Sequence, residues 1–257
     1  MAEIRVFTYN LRVDVPADGA NSFSNRRDFI RERIPALAAD LIGFQETIPH
    51  MRRWLEANLP EYQVCGLGRG ADLQDESNPI LFRRDAFDLA ELDCFWLSDT
   101  PNVPGSRFAT DQSGCPRICT CATLLHRDSG KLLRFYNTHL DHEGPTAQAQ
   151  GLTLILSRMA ADYAKRPMPV ILTGDFNAFP DSLVYRSADG FAGCGRPLED
   201  ASRDLGGTYH NFGRLETPQK IDYIFTNLRK KDAFLAEDSR DGIYLSDHYP
   251  VGAVLEL

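Results

Sequence analysis

The sequence predicts an α/β fold, and three observations carry that prediction. Short apolar runs such as "IRVFTYN", "LIGFQE" and "VILTGD" have the length and the β-branched or aromatic content of buried strands. Between them lie longer segments with apolar residues at helical spacing, for example Leu152, Ile155, Leu156 and Met159. Polar residues capable of chemistry recur at the carboxyl ends of the strands, which is where α/β folds hold ligands.

The 257 residues contain no Ser/Gly/Pro-rich linker, low-complexity run or internal repeat, so residues 1–257 are expected to form one domain. Hydrophobic residues make up 43% and charged residues 25%, enough for a large core. Lys and Arg number 28 against 36 Asp and Glu, a net charge of −8. Such a chain has no global attraction to polyanions, so phosphate chemistry must rest on metal ions and a few local cations, and long nucleic acid fits poorly as substrate. Of the cysteines Cys65, Cys94, Cys115, Cys119, Cys121 and Cys194, only the middle group clusters, and at no usual zinc spacing; all are expected to be buried thiols. The chain opens directly on a strand, which leaves no room for a signal peptide, and no apolar run approaches the roughly 20 residues of a membrane span. Cytoplasmic residence, reduced thiols and no membrane partner are therefore expected, and no obligate protein partner is evident.

Residues 4–10 alternate as a strand delivering Asn10 at its end, where a simple turn residue is the alternative reading. "NSFSNRRDFIRERIPALAAD" follows as a helix, with Asn25 as its expected cap, Ile30, Ile34, Leu37 and Leu41 facing the core, and its arginines on the solvated face. "LIGFQE" brings Glu46 to the end of a second strand, before a helix carrying Met51, Leu55 and Leu59. Glu46 is a metal-ligand candidate, although an acid is also favoured at a helix N-terminus for its own sake. "GLGRGAD", from Gly66, superficially suggests a dinucleotide loop, but Asp72 to Pro79 is polar and no amphipathic helix follows, so that reading fails. Strands are expected in "PILFRR" and "FDLAELDCFWL", then a loop over residues 98–116 long enough to carry function. Arg117 leaves this loop either to reach a phosphate or as an ordinary strand-edge cation.

"KLLRFYNTHLDHEG" is a further strand ending at His139, suited to contacting a phosphoryl oxygen or protonating a leaving group, with a structural histidine as the alternative. A long helix follows from about Thr146. Val170, Ile171 and Leu172 then lead into "GDFNAFPDS", where Gly174 is expected to turn the backbone so that Asp175 and Asn177 face one spot. A carboxylate beside an amide suits a metal-bound phosphate: one orients or deprotonates water, the other donates to a phosphoryl oxygen. Phe176 and Phe179 are expected to pack beneath, and Asp181 or Ser182 to cap the next helix. "GTYHNF" and "KIDYIF" read as strands, the second placing Asp222 among apolar neighbours, where a carboxylate is costly unless paired. Asp247 and His248 stand just before the last strand, "YPVGAVLEL".

Taken together, the pieces "TYNLR", "IGFQE", "NTHLDHEG", "GDFNAFPDS", "KIDYIF" and "LSDHYPV" resemble the endonuclease/exonuclease/phosphatase superfamily of metal-dependent phosphohydrolases, and the intervening wording resembles a bacterial branch nearest the deadenylase-like members. The resemblance implies a four-layer α/β sandwich, two face-to-face mixed sheets flanked by helices, with the site at one end. It also implies Glu46 as principal Mg²⁺ ligand, with Asn10 beside it and Asp247 near the metal, Mn²⁺ being the alternative ion. Asp175 would orient or deprotonate the attacking water, and Asn177 would hold that water or the phosphate. His248, polarised by Asp222, would contact the phosphate, and His139 would be a further phosphate or leaving-group contact. Whether Asp175 or the Asp222–His248 pair is the base stays open. Gln148, where an Arg is common in that branch, and Asn78, where a small residue is common, put substrate identity in question. The expectation is a Mg²⁺-dependent phosphodiesterase or phosphatase acting on a phosphorylated small molecule or short oligonucleotide. A nuclease acting on RNA or DNA is the competing enzyme. A non-catalytic binding scaffold would predict losses at the metal and phosphate positions, and none is seen.

Overall fold

The computed structural model describes residues 2–257. In chain order the elements are β1 (Glu3–Asn10), α1 (Phe23–Ala36), β2 (Leu41–Gln45), α2 (Pro49–Asn58), β3 (Tyr62–Cys65), β4 (Ile80–Arg83), β5 (Phe87–Trp96), β6 (Ile118–His126) and β7 (Leu132–His139). They continue with α3 (Pro145–Lys165), β8 (Val170–Asp175), α4 (Leu183–Ala188), β9 (Glu199–Asp200), β10 (Asp222–Thr226), β11 (Arg229–Leu235), β12 (Ser239–Arg240), β13 (Ile243–Tyr244) and β14 (Val251–Glu256). Two six-stranded mixed sheets result, in the orders β11-β14-β1-β2-β4-β3 and β5-β6-β7-β8-β10-β9.

Strands buried on both faces need apolar residues at nearly every position, and three apolar cores show why these strands have them. Val6, Leu41, Phe82, Leu124, Phe135, Ile171, Ile224 and Ala253 fill the space between the sheets. Phe7, Phe44, Ile30, Ile34, Met51 and Leu55 join α1 and α2 to the outside of the first sheet. Tyr136, Leu172, Tyr223, Leu152, Ile155 and Met159 join α3 to the outside of the second. The four expected layers are thus helices, sheet, sheet, helices.

The sheets approach closely beneath the site. A Cβ on Gly43 would lie 2.4 Å from Thr173 Oγ1 and 2.5 Å from Asn137 Oδ1, so only glycine fits there. The polar groups at this contact satisfy one another: Gln45 Nε2 donates to Asn137 Oδ1 at 2.7 Å, Thr173 Oγ1 to the same oxygen at 3.0 Å, and Asn137 Nδ2 to the Phe44 carbonyl at 2.6 Å.

Several local expectations are corrected. Gly174 is not a turn; it lies inside β8, where a Cβ would meet the Thr138 carbonyl oxygen at 2.4 Å, and the left-handed residue is Asn177, with φ 48°. Phe176 is buried beneath the site as expected, but Phe179 is 48% exposed. Helix α1 is preceded by Ser22 rather than capped by Asn25, and Leu41 belongs to β2. Arg26 is not on a solvated face: it is 0% exposed, and its guanidinium donates to the carbonyls of Asn21 (2.6 Å), Leu245 (2.5 Å) and Arg12 (3.1 Å). "GTYHNF" forms only isolated bridges through Tyr209 rather than a strand, and Cys94 and Cys115 are half-buried while the other thiols are buried. Ser182 does cap α4, its side chain accepting from the Tyr185 N–H at 3.1 Å.

Candidate active site

Strand register builds the site. In the second sheet His139 lies opposite Asp175 across the parallel β7–β8 pair, and Asp175 lies opposite Asp222 across the antiparallel β8–β10 pair, so three strand ends bring three functional groups into one row. In the first sheet Asn10 lies opposite Gln45, which places Glu46 one residue beyond the row. The facing sheets join at this end: Asn10 Nδ2 donates to Glu46 Oε1 at 2.9 Å and to Asp175 Oδ2 at 3.0 Å. The Val13 N–H donates to Glu46 Oε2 at 2.8 Å, and Glu46 adopts φ 59° to present its carboxylate.

His248 Nδ1 lies 2.8 Å from Asp222 Oδ2, as the cost of a lone carboxylate in an apolar strand requires. The same oxygen accepts the Thr208 hydroxyl at 2.5 Å. The other imidazole nitrogen, Nε2, stands 3.8 Å from Asp175 Oδ2 and 4.0 Å from Asp247 Oδ1, while His139 Nε2 reaches Asp175 Oδ2 at 3.6 Å from the other side. Asp175 thus sits between two histidines whose surroundings push them apart. Burial opposes a charge on His248, but the charge and hydrogen bond of Asp222, with Asp247 and Asp175 behind it, lift the imidazole to about 10. Burial, then Arg117 and Arg69, push His139 well below its ordinary value, which favours the neutral ring. Burial and the neighbouring Asp222 charge hold Asp175 up to about 7.

Glu46 and Asp247 are the candidate cation holders. Burial raises the Asp247 carboxyl, the nearby Glu46 charge adds to this, and His248 and Arg12 oppose it. Both carboxylates line one cavity and are hard oxygen donors of the kind a Mg²⁺-type ion takes, so they fit such an ion, while Asn10 meets Glu46 through its amide nitrogen. Asp175, Asp222 and His248 also bring one donor atom each within 4.8 Å of one another. Asp222 and His248 are also bonded to each other, through Oδ2 and Nδ1, which leaves Asp222 Oδ1 and His248 Nε2 outside that bond.

Asn177 and Arg117 line the same cavity, which measures ≈ 520 Å³, together with Glu46, His139, Asp175, Asp247 and His248. Asn177 Nδ2 donates to the Leu140 carbonyl at 3.1 Å, and its own N–H donates to Asp175 Oδ1 at 2.9 Å. Arg117 Nη2 meets His142 Nδ1 at 2.7 Å and Nε lies 3.4 Å from Asp141 Oδ2. Each candidate catalytic, metal or phosphate residue named from the sequence is therefore in or directly behind one cavity. Asn10 and Asp222 stand behind the cavity wall, bonded to residues that line it.

A model of the endonuclease/exonuclease/phosphatase family matches residues 7–248. The chain belongs to that family. An endonuclease/exonuclease/phosphatase from Bacteroides vulgatus shares 30% identity over 100% of both chains, with a TM-score of 0.91. A mannosyl-6-phosphatase from Bacteroides thetaiotaomicron shares 30% identity, covering 99% of this chain and 100% of its own, with a TM-score of 0.87. The human nocturnin catalytic domain, at 19% identity and covering 99% of this chain and 94% of its own, shares the fold with a TM-score of 0.77. As a family member the protein is a metal-dependent phosphoesterase in the broad sense that includes phosphodiesterases, phosphatases and nucleases. No helix among the described residues is long and apolar enough to cross a membrane.

This endonuclease/exonuclease/phosphatase member also shows what the sequence reading missed. Arg12 lines the cavity, its Nε bonded to Asp18 Oδ2 at 2.9 Å and lying 3.6 Å from Asp247 Oδ2; the "TYNLR" wording contained it. Tyr209, in "GTYHNF", places its ring 4.9 Å from that of His248. Phe179 and Arg69 also line the wall, with Glu76, Cys115 and His142 among the residues around them. Neither unusual residue touches the cavity: Asn78 Nδ2 donates to the Ile118 carbonyl at 3.0 Å, and Gln148 Nε2 ties the carbonyls of Asp141 (2.7 Å) and Asn177 (3.1 Å) together.

Proposed function

We propose that this protein is a Mg²⁺-dependent hydrolase of phosphate esters that acts on a small or short phosphorylated substrate. The observation that carries the reading is the cavity: ≈ 520 Å³ is the volume of a small-molecule site, and it gathers Arg12, Arg69 and Arg117 in a chain of net charge −8. Support comes from the full-length likeness to a mannosyl-6-phosphatase. The family match over residues 7–248 supports one catalytic domain, and six unpaired thiols support a reducing, cytoplasmic setting.

In this reading Glu46 and Asp247 would hold the cation, with Asn10 beside them bonded to Glu46, and the bound cation would neutralise charge on the phosphate. Asp175, held near neutrality and bonded to Asn10, takes the proton of the attacking water. His248 is already protonated, so it donates to an equatorial oxygen rather than serving as base, and its orientation is fixed by Asp222. Asn177 offers its remaining amide hydrogen to the phosphate or the water. His139, neutral, contacts a phosphoryl or leaving-group oxygen, and Arg117 contacts the phosphate.

The test is hydrolysis by chelator-stripped protein resupplied with Mg²⁺ or Mn²⁺, offered sugar phosphates, mono- and bis-(p-nitrophenyl) phosphate and short oligonucleotides. We expect no activity in chelator, recovery with either ion, and faster release of phosphate from the small substrates than cleavage of the oligonucleotides. Full activity in excess chelator overturns the mechanism, and preference for oligonucleotides returns the nuclease reading.

A further inference from the structure

The loop between β3 and β4 carries the glycine-rich wording "GLGRGAD", whose Arg69 has no part in the proposed reaction beyond bordering the cavity. Its glycines are architectural. A Cβ on Gly68 would lie 2.2 Å from the Gln74 carbonyl oxygen, and one on Gly70 3.0 Å from the same atom. The loop doubles back on itself through N–H bonds from Gly68 to Leu73 O (3.1 Å), Arg69 to Glu76 O (2.8 Å) and Gly70 to Gln74 O (2.9 Å).

The residue held between those glycines is Arg69, whose side chain is only 10% exposed. Its Nη2 donates to Glu76 Oε1 at 2.9 Å and its Nε to Asp75 Oδ2 at 3.3 Å, while Nη1 has no protein partner among the described residues. Arg117 is braced in the same way, by Nη2 against His142 and by Nε against Asp141, and its Nη1 is likewise left over. Trp96 Nε1 donates to the Arg69 carbonyl at 2.6 Å and the Leu97 N–H to the Arg117 carbonyl at 2.7 Å, so two adjacent residues at the end of β5 hold both backbones. Both guanidiniums border the cavity. An arginine tied at Nε and one Nη is presented in a single orientation, so little further entropy is lost when an anion meets its free edge.

A phosphodiester carries one negative charge, whereas a phosphomonoester carries about −1.5 to −2 near neutral pH. We propose that Arg69, together with Arg117, is a specificity-determining clamp that reads the second charge of a phosphomonoester. The inference rests on the small-substrate reading of the cavity and narrows it from phosphate esters in general to monoesters. Glu76 and Asp141 set the clamp's orientation; the free Nη1 edges contact the unesterified oxygens.

The experiment compares kcat/KM for p-nitrophenyl phosphate, a hexose 6-phosphate and bis(p-nitrophenyl) phosphate, with inhibition by inorganic phosphate, in the wild type, Arg69→Gln, Arg69→Lys and the double variant Arg69→Gln/Glu76→Gln. Circular dichroism and thermal midpoints report folding. Loss of a charge-assisted hydrogen bond predicts a fall of about 10- to 100-fold on the monoesters in Arg69→Gln, and a monoester-to-diester ratio lowered by at least about tenfold. Inhibition by inorganic phosphate weakens in parallel, and Arg69→Lys recovers part of both. The double variant regains thermal stability without regaining the ratio; should Arg69→Gln alone fail to fold, this variant and Arg69→Lys carry the test. An unchanged ratio in the folded variants overturns the clamp, as does a ratio restored in the double variant, which would mean that Arg69 merely neutralises Glu76. A wild type that cleaves oligonucleotides and no monoester refutes the small-substrate reading instead, and shows itself before any variant is made.

Discussion

Asp222 meets both its partners through one oxygen: Oδ2 accepts the Thr208 hydroxyl and faces His248 Nδ1, while Oδ1 has no partner among the described residues. A carboxylate buried this way is tolerated because the imidazolium opposite it stays charged, and the imidazolium stays charged because the carboxylate is there. In the proposed mechanism the two side chains act as one unit, so removing either should disable it. Asp222→Asn and His248→Ala should each lower kcat by on the order of 10²-fold or more, and the double variant should be little worse than the worse single variant. Steady-state kinetics on the four proteins of this cycle decide the matter. A double-variant loss equal to the product of the single losses would mean that the two residues act independently and that the geometry has been assigned the wrong role.

At the scale of elements, Asp141 shows how a side chain outside the chemistry fixes the wall of the site. It follows β7, and its Oδ1 accepts the N–H groups of Gly144 (2.9 Å), Ser113 (3.1 Å) and Glu143 (3.1 Å), while Oδ2 accepts the Ser113 hydroxyl; it thereby ties the 98–116 loop to the start of α3. Burial alone would raise this carboxyl, but the Ser113 hydroxyl and the backbone donors outweigh it and pull it down to about 2. A group whose folded pKa is depressed contributes stability that is present above its unfolded pKa and is lost as pH falls through the folded one. Asp141 should therefore contribute about 2 kcal/mol above pH ~5 that disappears between about pH 4 and pH 2. Urea titrations from pH 7 to pH 3 should show Asp141→Asn less stable at neutral pH, with the difference from wild type shrinking on acidification; a gap constant with pH removes the carboxylate charge as the cause. The same elements explain what could be read from the sequence. Strands buried on both faces and the long amphipathic α3 declare themselves by apolar runs and spacing, and the polar residues at the strand ends followed from them, including Glu46, Asp175 and His248. Arg69 and Tyr209 did not, because their positions depend on irregular loops closed by backbone hydrogen bonds and isolated bridges, which no periodicity encodes. Arg26 departs from its expected place for a related reason: its position in α1 suggests solvent, and only the folded chain brings the carbonyls of Asn21, Leu245 and Arg12 around it. Short strands such as β3 and β9 carry too few residues for any pattern to be seen.

At the scale of the whole molecule, the proposed preference for a small ester has a consequence in the distribution of charge. The chain is acidic overall, while Arg12, Arg69 and Arg117 border a single cavity, each beside a carboxylate: Asp18, Glu76 and Asp141 respectively. In the proposed reading these cations hold one or two phosphates, and an acidic chain gives little general attraction to a backbone of many phosphates. For single strands the logarithm of affinity falls with the logarithm of salt concentration by about 0.7 for each phosphate neutralised. With one or two phosphates gripped, the slope for a short oligonucleotide should be no steeper than about −1.5, and kcat/KM for a small phosphate ester should change little over the same range. Measuring kcat/KM for both substrates from 50 to 300 mM salt at constant free Mg²⁺ tests this. A slope of about −4 or steeper on the oligonucleotide would require a positive track extending beyond the cavity, and would place the scissile phosphate of a polymer, rather than a small ester, between His139 and His248.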